Sequence, residues 1–333
     1  MSALPDTPAS AREAVPDLVT LAARARDCVR REGDWPLPGR GRTLARWQAL
    51  AAIAARDLAL VKVVEAHYDA LAILGDLDGE PTSPDALLAV WAAEGPQSTL
   101  VLDDGRGGPR LTGRKPWCSG AGFVDAALLT VQVGGVSQLV RVDMRGPGIE
   151  RPPSVWQAVG MAAIESGPVE FHHVPCTRVG APGAYLERPG FWHGGAGIAA
   201  CWYGAAAEIA RRMADPERIA RDPHAAALLG RVDMALGAAA ALLRELAERI
   251  DTAPSLPHQR EVVRVRSLVE RACHEVLDAA GRAMGPGPLC GDRQHAQRCA
   301  DLSVFVRQSH ADRDWAALGL AVASIEEGAQ WPL

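Results

Sequence analysis

The hydrophobic period changes twice along this chain, and that change constrains the fold more than any other feature of the sequence. From about residue 10 to residue 76 the chain is rich in Ala and Leu at helical spacing, with a Pro/Gly interruption at 35–39. Between about residues 96 and 183, short β-branched and apolar runs alternate with Gly and Pro. After Pro189 the helical spacing returns and persists. Because a period of 3.6 indicates helices and short β-branched runs indicate strands, the chain is predicted to be helical, then β, then helical.

This order predicts an α+β protein with three domains. An N-terminal α-helical domain is expected over 1–90, a middle antiparallel β domain over 91–185, and a C-terminal four-helix bundle over 186–333. The first domain is predicted to hold one helix, a loop and then one long helical region over 44–71.

Two finer predictions concern the other domains. In the β block, Gly134 and Gly135 separate two apolar runs, which is typical of a hairpin. In the C-terminal block, apolar residues recur at three- and four-residue spacing from Leu229 to Ile250, which predicts a helix with one buried stripe. A last helix is predicted from about Gln294 to Ile325.

Composition argues against several classes of function. The formal net charge is -5, and the sequence shows no basic segment of the kind that binds nucleic acid. The apolar stretches contain charges or stop short of the ~20 residues that a spanning helix needs, and no secretory signal is visible at the N-terminus. The seven cysteines are scattered without a C-x-x-C pair, and no His/Cys/Asp/Glu cluster has zinc-like spacing. We therefore expect a cytoplasmic protein without a metal, a membrane or a nucleic-acid partner.

Residues 195–200 (GAGIAA) match G-x-G-x-x-A, a form of the dinucleotide-binding fingerprint. That fingerprint requires a strand before its first glycine, since the pyrophosphate lies at the turn between strand and helix. The preceding residues 187–193 (ERPGFWH) form no strand pattern. We interpret the small residues as a helix that packs closely on another helix.

Three segments resemble the acyl-CoA dehydrogenase family. Residues 111–121 (LTGRKPWCSGA), followed by an apolar run at 125–130, are similar to the family's middle-domain pattern L-x-G-x-K-x-W-x-[ST]-x-[GA]. Residues 160–175 resemble its G-M/W-x-x-S-x-x-x-x-[VF]-x-F-x-x-V-x-V-P pattern. Residues 194–207 resemble the small-residue helix that opens the family's bundle. The resemblance extends over about residues 44–319.

The resemblance implies a bound flavin, FAD or, in a monooxygenase, FMN. It places FAD contacts at Trp117, Cys118 and Ser119, with the indole as a flat apolar wall and the serine hydroxyl near the redox-active nitrogen. If these residues continue a strand, Trp117 and Ser119 face the same side. The resemblance also implies flavin contacts at Arg298 and Gln308.

The family's catalytic glutamate is missing from both places where its members carry it. Counting on from Arg298 reaches Ser309 and His310, and the start of the small-residue helix offers His193. A neutral imidazole is a competent general base near neutral pH, so His310 is the first candidate for acid/base catalysis and His193 the second. Residues 312–314 (DRD) are interpreted as a solvated charged face.

The leading hypothesis is an FAD-dependent oxidoreductase of acyl-CoA dehydrogenase type that acts on an acyl thioester or related small substrate. CoA binding is open, because the loop at 90–99 keeps only Glu94 and Ser98 of the family's flavin- and CoA-binding loop. One alternative is a flavin monooxygenase of the same fold that uses reduced flavin and oxygen. Another is a non-catalytic homologue that serves as a subunit or binding module. The resemblance further implies a homodimer or homotetramer.

Overall fold

The computed structural model describes residues 18–80, 82–105, 107–152 and 156–324, and its elements follow the predicted order of helices, strands and helices. The helices are α1 (Leu18–Glu32), α2 (Thr43–Arg56), α3 (Leu58–Asp76), α4 (Ala184–Glu187), α5 (Pro189–Met213), α6 (Pro216–Arg221), α7 (Pro223–Thr252), α8 (Gln259–Met284), α9 (Gly287–Gly291), α10 (Arg293–Phe305) and α11 (Asp312–Ala323). The strands are β1 (Leu88–Trp91), β2 (Val101–Gly105), β3 (Gly108–Lys115), β4 (Ala126–Val133), β5 (Val136–Asp143), β6 (Ile149–Glu150), β7 (Val169–Pro175) and β8 (Thr177–Val179).

The N-terminal block holds three helices among the described residues, because the long helical region predicted over 44–71 is divided at Asp57. The backbone of Asp57 is extended, with φ -158° and ψ 114°, and its carboxylate accepts a hydrogen bond from the N–H of Leu60 at 2.9 Å. Such a side-chain cap starts a new helix by satisfying one of its free N–H groups. The first helix was expected from about residue 10, and residues 1–17 lie outside the described part of the chain.

The middle block consists of two four-stranded sheets, with strand orders β1-β4-β5-β8 and β2-β3-β7-β6. The predicted hairpin is confirmed, since β4 and β5 pair antiparallel around Gly134 and Gly135, which both have positive φ. The pairing departs from the predicted antiparallel pattern at β1, which lies parallel to β4. Because β1 comes directly after the N-terminal helices, it joins the helical block to the sheets.

The C-terminal block is helical, as predicted, with α5 at its centre in contact with α7, α8 and α10. The predicted stripe on α7 is confirmed for most of its members, including Val232, Ala239, Leu243, Leu246 and Ile250, which are all buried. The last predicted helix, in contrast, is interrupted. A 3-10 turn (Val306–Gln308) and an extended Ser309 separate α10 from α11, and Ile325 lies outside the described residues.

Close packing of α2 on α5 explains the glycine-rich segment. A Cβ atom on Gly204 would lie 2.2 Å from the carbonyl oxygen of Ala51, so only glycine allows the two backbones to approach this closely. Residues 195–200 lie inside α5, with no strand before them, which confirms the prediction that they serve helix packing.

Within the described residues, α7 is the one helix long and apolar enough to cross a membrane, whereas the sequence indicated no such helix. Length and composition alone cannot separate a spanning helix from a core helix. In this structure α7 packs along α8.

Candidate functional site

A cavity of about 250 Å³ lies where the three blocks of the chain meet. Its walls come from α3, β1, α4, α5, α8 and the turn before α11. Most of its polar lining is ionisable, with Glu65 and Asp69 on α3, Arg188 and Arg266 opposite, and His310 and Asp314 at the α11 end. A concave site with converging titratable groups is the usual form of a substrate pocket.

The two acids on α3 lie one helical turn apart and both line this cavity. Burial, followed by repulsion from the Asp69 carboxylate, raises the pKa of Glu65 to about 7. Burial also raises the pKa of Asp69, against the opposing effect of the Arg188 guanidinium. Loss of hydration disfavours the charged form of a carboxyl group, so both acids hold their protons more tightly than in water.

Sequence reasoning missed Glu65 and Asp69. The available signal was a pair of carboxylates at i and i+4 inside a helix that is otherwise apolar around most of its circumference. A charged pair at such positions has to be paired or to face a cavity, because burying an isolated charge is costly.

Arg188 and Arg266 are held by partners of their own. Arg188 donates to Asp76 at 2.8 Å and lies 4.0 Å from Asp69. Arg266 donates to the backbone oxygens of Gly195 and Gln308, at 2.5 and 3.2 Å, and lies over the ring of Trp202 at 4.9 Å. These contacts fix both guanidinium groups as walls of the cavity.

His310 lines the cavity together with Asp314, and their side chains lie 3.4 Å apart. The prediction of a solvated charged face is correct for Asp312 and Arg313, which are exposed, but wrong for Asp314, whose side chain is only 19% exposed. The reason is that α11 begins at Asp312 and turns its third residue towards α8 and Arg266.

His193, the second predicted catalytic residue, lies elsewhere. It is buried, and its Nε2–H donates to the backbone oxygen of Leu256 at 2.9 Å. Burial lowers its pKa. His193 lines a separate cavity of about 330 Å³, and Arg188 is shared between that cavity and the one that contains His310. The structure therefore does not bring the two histidines together.

The predicted flavin-contacting segment follows β3 but is not part of it. The strand ends at Lys115, and Trp117 adopts a left-handed φ of 60°, so the prediction that Trp117 and Ser119 lie on a strand and face the same side of it is wrong. Pro116 has no backbone N–H to continue the ladder, which accounts for the break. The Trp117 indole is 55% exposed and meets the ring of Trp156 edge-on at 6.5 Å.

The other two residues of this segment are held more tightly. The Ser119 hydroxyl is hydrogen-bonded to the Ser166 hydroxyl at 2.7 Å. The Ser119 carbonyl oxygen accepts a hydrogen bond from Trp91 Nε1 at 3.0 Å. Cys118 is buried, and burial raises its thiol pKa to about 12, so it stays protonated. Cys118 therefore contributes packing and backbone position rather than a reactive thiolate.

Lys115 anchors this segment from inside the protein. Its ammonium is fully buried and donates to Glu94 Oε1 at 2.9 Å, and to the carbonyl and hydroxyl oxygens of Thr130 at 2.9 and 3.0 Å. All three donors of the ammonium are thus satisfied. The lysine of the middle-domain pattern joins β3 to β4 and to the loop after β1.

A small crevice of about 10 Å³ lies between the cavity and this segment. Lys62, Ala66 and Val90 line the cavity as well as the crevice, and Ser119 lies at the far side of the crevice. The ionisable groups and Ser119 therefore line two neighbouring spaces that have three lining residues in common.

Arg298 and Gln308 do not line the cavity. Arg298 is buried and its Nε donates to the backbone oxygen of Ala55 at 3.1 Å, which joins α10 to α2. The side chain of Gln308 is exposed, and its carbonyl oxygen receives the Arg266 hydrogen bond. No three His, Cys, Asp or Glu side chains within the described part of the chain group closely enough to hold a metal ion.

Helices, two small sheets and a helical region in this arrangement define the acyl-CoA dehydrogenase fold, and solved structures agree. Butyryl-CoA dehydrogenase from Megasphaera elsdenii superposes with a TM-score of 0.72 at 14% identity, over 84% of this chain and 82% of that one. TdsC from Paenibacillus sp. A11-2, in complex with FMN and indole, gives 0.71 at 17% identity, over 91% and 92%. PigA with FAD and proline gives 0.77 at 12% identity, over 93% and 90%. No protein-family model and no curated protein matches the sequence.

Proposed function

We propose that this protein is a flavin-dependent oxidoreductase that binds its substrate in the cavity between α3, α5 and α8. The observation that carries the proposal is that the ionisable cavity lies next to the predicted flavin segment, since Lys62 and Val90 line both the cavity and the crevice that Ser119 lines. Such a region offers a reacting group both a binding pocket and a flat wall.

The residues at the wall suit an isoalloxazine ring. Trp117 presents an exposed indole, and its left-handed φ is a strained conformation of the kind that persists at functional sites. The Ser119 hydroxyl is a hydrogen-bond donor at the same turn. FAD or FMN is the expected cofactor, and when bound it would accept a hydride or electrons. FMN in the TdsC complex and FAD in the PigA complex support this choice.

The lining of the cavity favours a small substrate that carries a polar group over the long acyl chain of a thioester. An acyl chain is best accommodated by apolar walls, whereas this cavity has Glu65, Arg266 and Asp314 among its lining residues. The sequence left open an acyl thioester or another small substrate. We therefore prefer a small substrate that is not an acyl thioester.

His310 is the acid/base candidate that sequence reasoning placed first. It lies on the cavity with its side chain 63% exposed, and its Nδ1 atom is 3.4 Å from a carboxylate oxygen of Asp314, a neighbour of the kind found in catalytic pairs. We expect His310→Ala to lower turnover by about a hundredfold while flavin remains bound. Full turnover in this variant would show that His310 has no catalytic role.

Flavin titration followed by anaerobic reduction tests the proposed function and separates it from its alternatives. A yellow protein that is bleached by substrate supports a dehydrogenase-type reaction. Binding of reduced flavin only, followed by reaction with oxygen, would instead indicate a monooxygenase. If the protein binds neither form of FAD or FMN, the oxidoreductase proposal is wrong and a non-catalytic binding module remains.

A homo-oligomer is also proposed, on the basis of an unpaired face of α7. Gly230, Met234, Gly237, Ala238 and Ala241 recur at helical spacing and are exposed on that face. An apolar helix face of this kind is a common subunit interface. We expect light scattering to show a dimer or tetramer that Met234→Glu dissociates, whereas Val133→Glu at the exposed hairpin leaves it intact. A monomeric wild-type protein would contradict this proposal.

A further inference from the structure

Glu65 is the acid of the cavity whose carboxylate forms neither a hydrogen bond nor an ion pair with a residue that the structure describes, whereas Asp69 and Asp314 each lie beside a basic side chain. The residue is 6% exposed and lines the cavity. Among the residues that the structure describes, none donates a hydrogen bond to its carboxylate or forms an ion pair with it. An acceptor that faces a cavity without a protein donor is available to a ligand or a water molecule.

The other acids on the cavity are already engaged. Asp69 lies beside Arg188, and Asp314 lies beside His310. The cations that face Glu65 have contacts of their own, although the Lys62 ammonium makes no hydrogen bond or ion pair with a described residue. Lys62 lies 5.7 Å from the centre of the Phe305 ring, and the bonds of Arg266 to two carbonyl oxygens have been described above.

Arg46 approaches Glu65 from α2, on the side away from the cavity. It is buried, donates to the backbone oxygen of Pro36 at 3.3 Å, and lies 5.9 Å from the ring centres of both Trp35 and Tyr68. Two further groups that face Glu65 are uncharged near neutral pH. They are the Tyr185 phenol on α4 and the Cys201 thiol on α5, whose pKa values burial raises.

Apolar side chains between these ionisable groups offer room for a small hydrocarbon body. Val90 and Val263 contribute aliphatic surface, and Phe191 and Trp192 contribute aromatic surface. A ligand that fills this cavity therefore combines an apolar body with one hydrogen-bond donor directed at Glu65. A protonated amine donates to a carboxylate more strongly than a hydroxyl does, because the bond is charge-assisted.

We propose that the substrate is an amine with an apolar body and that Glu65 binds its ammonium group and accepts its proton. The N–H bond of the ammonium breaks, the proton moves to a Glu65 oxygen, and the nitrogen keeps the electron pair. The neutral amine is the form needed for oxidation, since its lone pair assists loss of a hydride from the adjacent carbon to the flavin. The neutral amine is also the form whose nitrogen can attack an oxygen donor. The oxidation step rests on the proposed function, but binding of the ammonium does not.

Burial makes this proton transfer feasible. With the pKa of Glu65 raised to about 7, the carboxyl group is a stronger base than a solvated glutamate and titrates near neutral pH. Affinity for an ammonium ion should therefore increase as the pH rises through about 7, because Glu65 then loses its proton.

Benzylamine, benzyl alcohol and benzoate are matched probes for this proposal, since they share an apolar ring and differ in the polar group. Isothermal titration of the wild-type protein should give tighter binding of benzylamine than of benzyl alcohol, by about tenfold at roughly pH 8. Binding of benzylamine should weaken towards roughly pH 6, whereas binding of benzyl alcohol should not change. Benzoate should bind more weakly than either.

Glu65→Gln preserves the shape of the side chain and should abolish both the preference for benzylamine and its pH dependence. Glu65→Asp keeps a carboxylate and should retain the preference with reduced affinity, which guards against a fold defect in the glutamine variant. Glu248→Gln, on the exposed side of α7, is the control and should bind as the wild type does.

Two results would overturn the proposal. One is that the wild-type protein binds benzylamine no better than benzyl alcohol at millimolar concentrations. The other is that a folded Glu65→Gln variant keeps a pH-dependent preference for the amine. Flavin titration of the same samples tests the oxidoreductase proposal separately, so loss of flavin binding with an intact amine preference would refute only that proposal.

Discussion

The imidazole of His67 joins α3 to β1, because its Nδ1 atom accepts a hydrogen bond from the backbone N–H of Leu88 at 3.3 Å. This contact brings the helix that carries Glu65 and Asp69 against the strand that carries Val90. All three residues line the cavity. The register between the N-terminal helices and the first sheet thus sets the distance between the acids and the predicted flavin wall.

His67 makes the free energy of unfolding depend on pH below about pH 6.5. Burial, and to a lesser degree the nearby Arg46, lowers its pKa to about 4. The unfolded chain therefore binds a proton at a higher pH than the folded protein does. The contribution of His67 is complete above about pH 6.5 and is lost as the pH falls towards 4.

We expect the wild-type protein to lose about 2 kcal/mol of unfolding free energy from this residue across that range. His67→Gln keeps an acceptor for the Leu88 N–H without a titrating group, so its stability should fall less in acid. Urea denaturation at several pH values measures the difference. Parallel pH profiles for the two proteins would rule out this role of His67.

Lys115→Met should destabilise the protein by about 2–3 kcal/mol, because it removes the buried partner of Glu94. The Glu94 side chain is 37% exposed and can recover some hydration, which keeps the cost at the lower end for a broken ion pair. Glu94→Gln retains an acceptor for Lys115 and should cost less. Chemical denaturation monitored by circular dichroism is the measurement, and equal losses in both variants would argue against the ion pair as the cause.

Gly204→Ala should destabilise the protein by several kcal/mol, since the new methyl group would overlap the backbone of Ala51. Gly281 provides a matched control in another helix. A Cβ atom there meets no atom within 4 Å, so Gly281→Ala should stabilise by about 0.5–1 kcal/mol through helix propensity. Thermal melting distinguishes the two, and a neutral Gly204→Ala would mean that α2 and α5 are less closely packed.

Trp117→Ala should weaken flavin binding by about tenfold or more, since it removes the aromatic wall of the proposed site. Trp315 is also an exposed tryptophan, on α11, and Trp315→Ala serves as the control. Titration of both variants with FAD and FMN, followed by flavin fluorescence, gives the affinities. Equal affinities in the two variants would place the ring somewhere other than at Trp117.

Much of the fold could be predicted from the sequence because its signals are local. The change of period identified the three blocks, and Gly134–Gly135 identified a hairpin whose positive φ angles other residues seldom adopt. No strand pattern precedes residue 195, and this local observation excluded a dinucleotide-binding site at residues 195–200. Each of these features depends on neighbouring residues and on backbone sterics alone.

The composition of the cavity was decided by tertiary structure. Glu65 and His310 are far apart in the sequence, and no periodicity indicates that α3 and the turn before α11 face each other across one space. The split at Asp57, the end of β3 at Lys115 and the parallel strand β1 together set which side chains converge. The raised pKa of Glu65 follows from desolvation by all of the elements that surround it, which is a property of packing and not of any one segment.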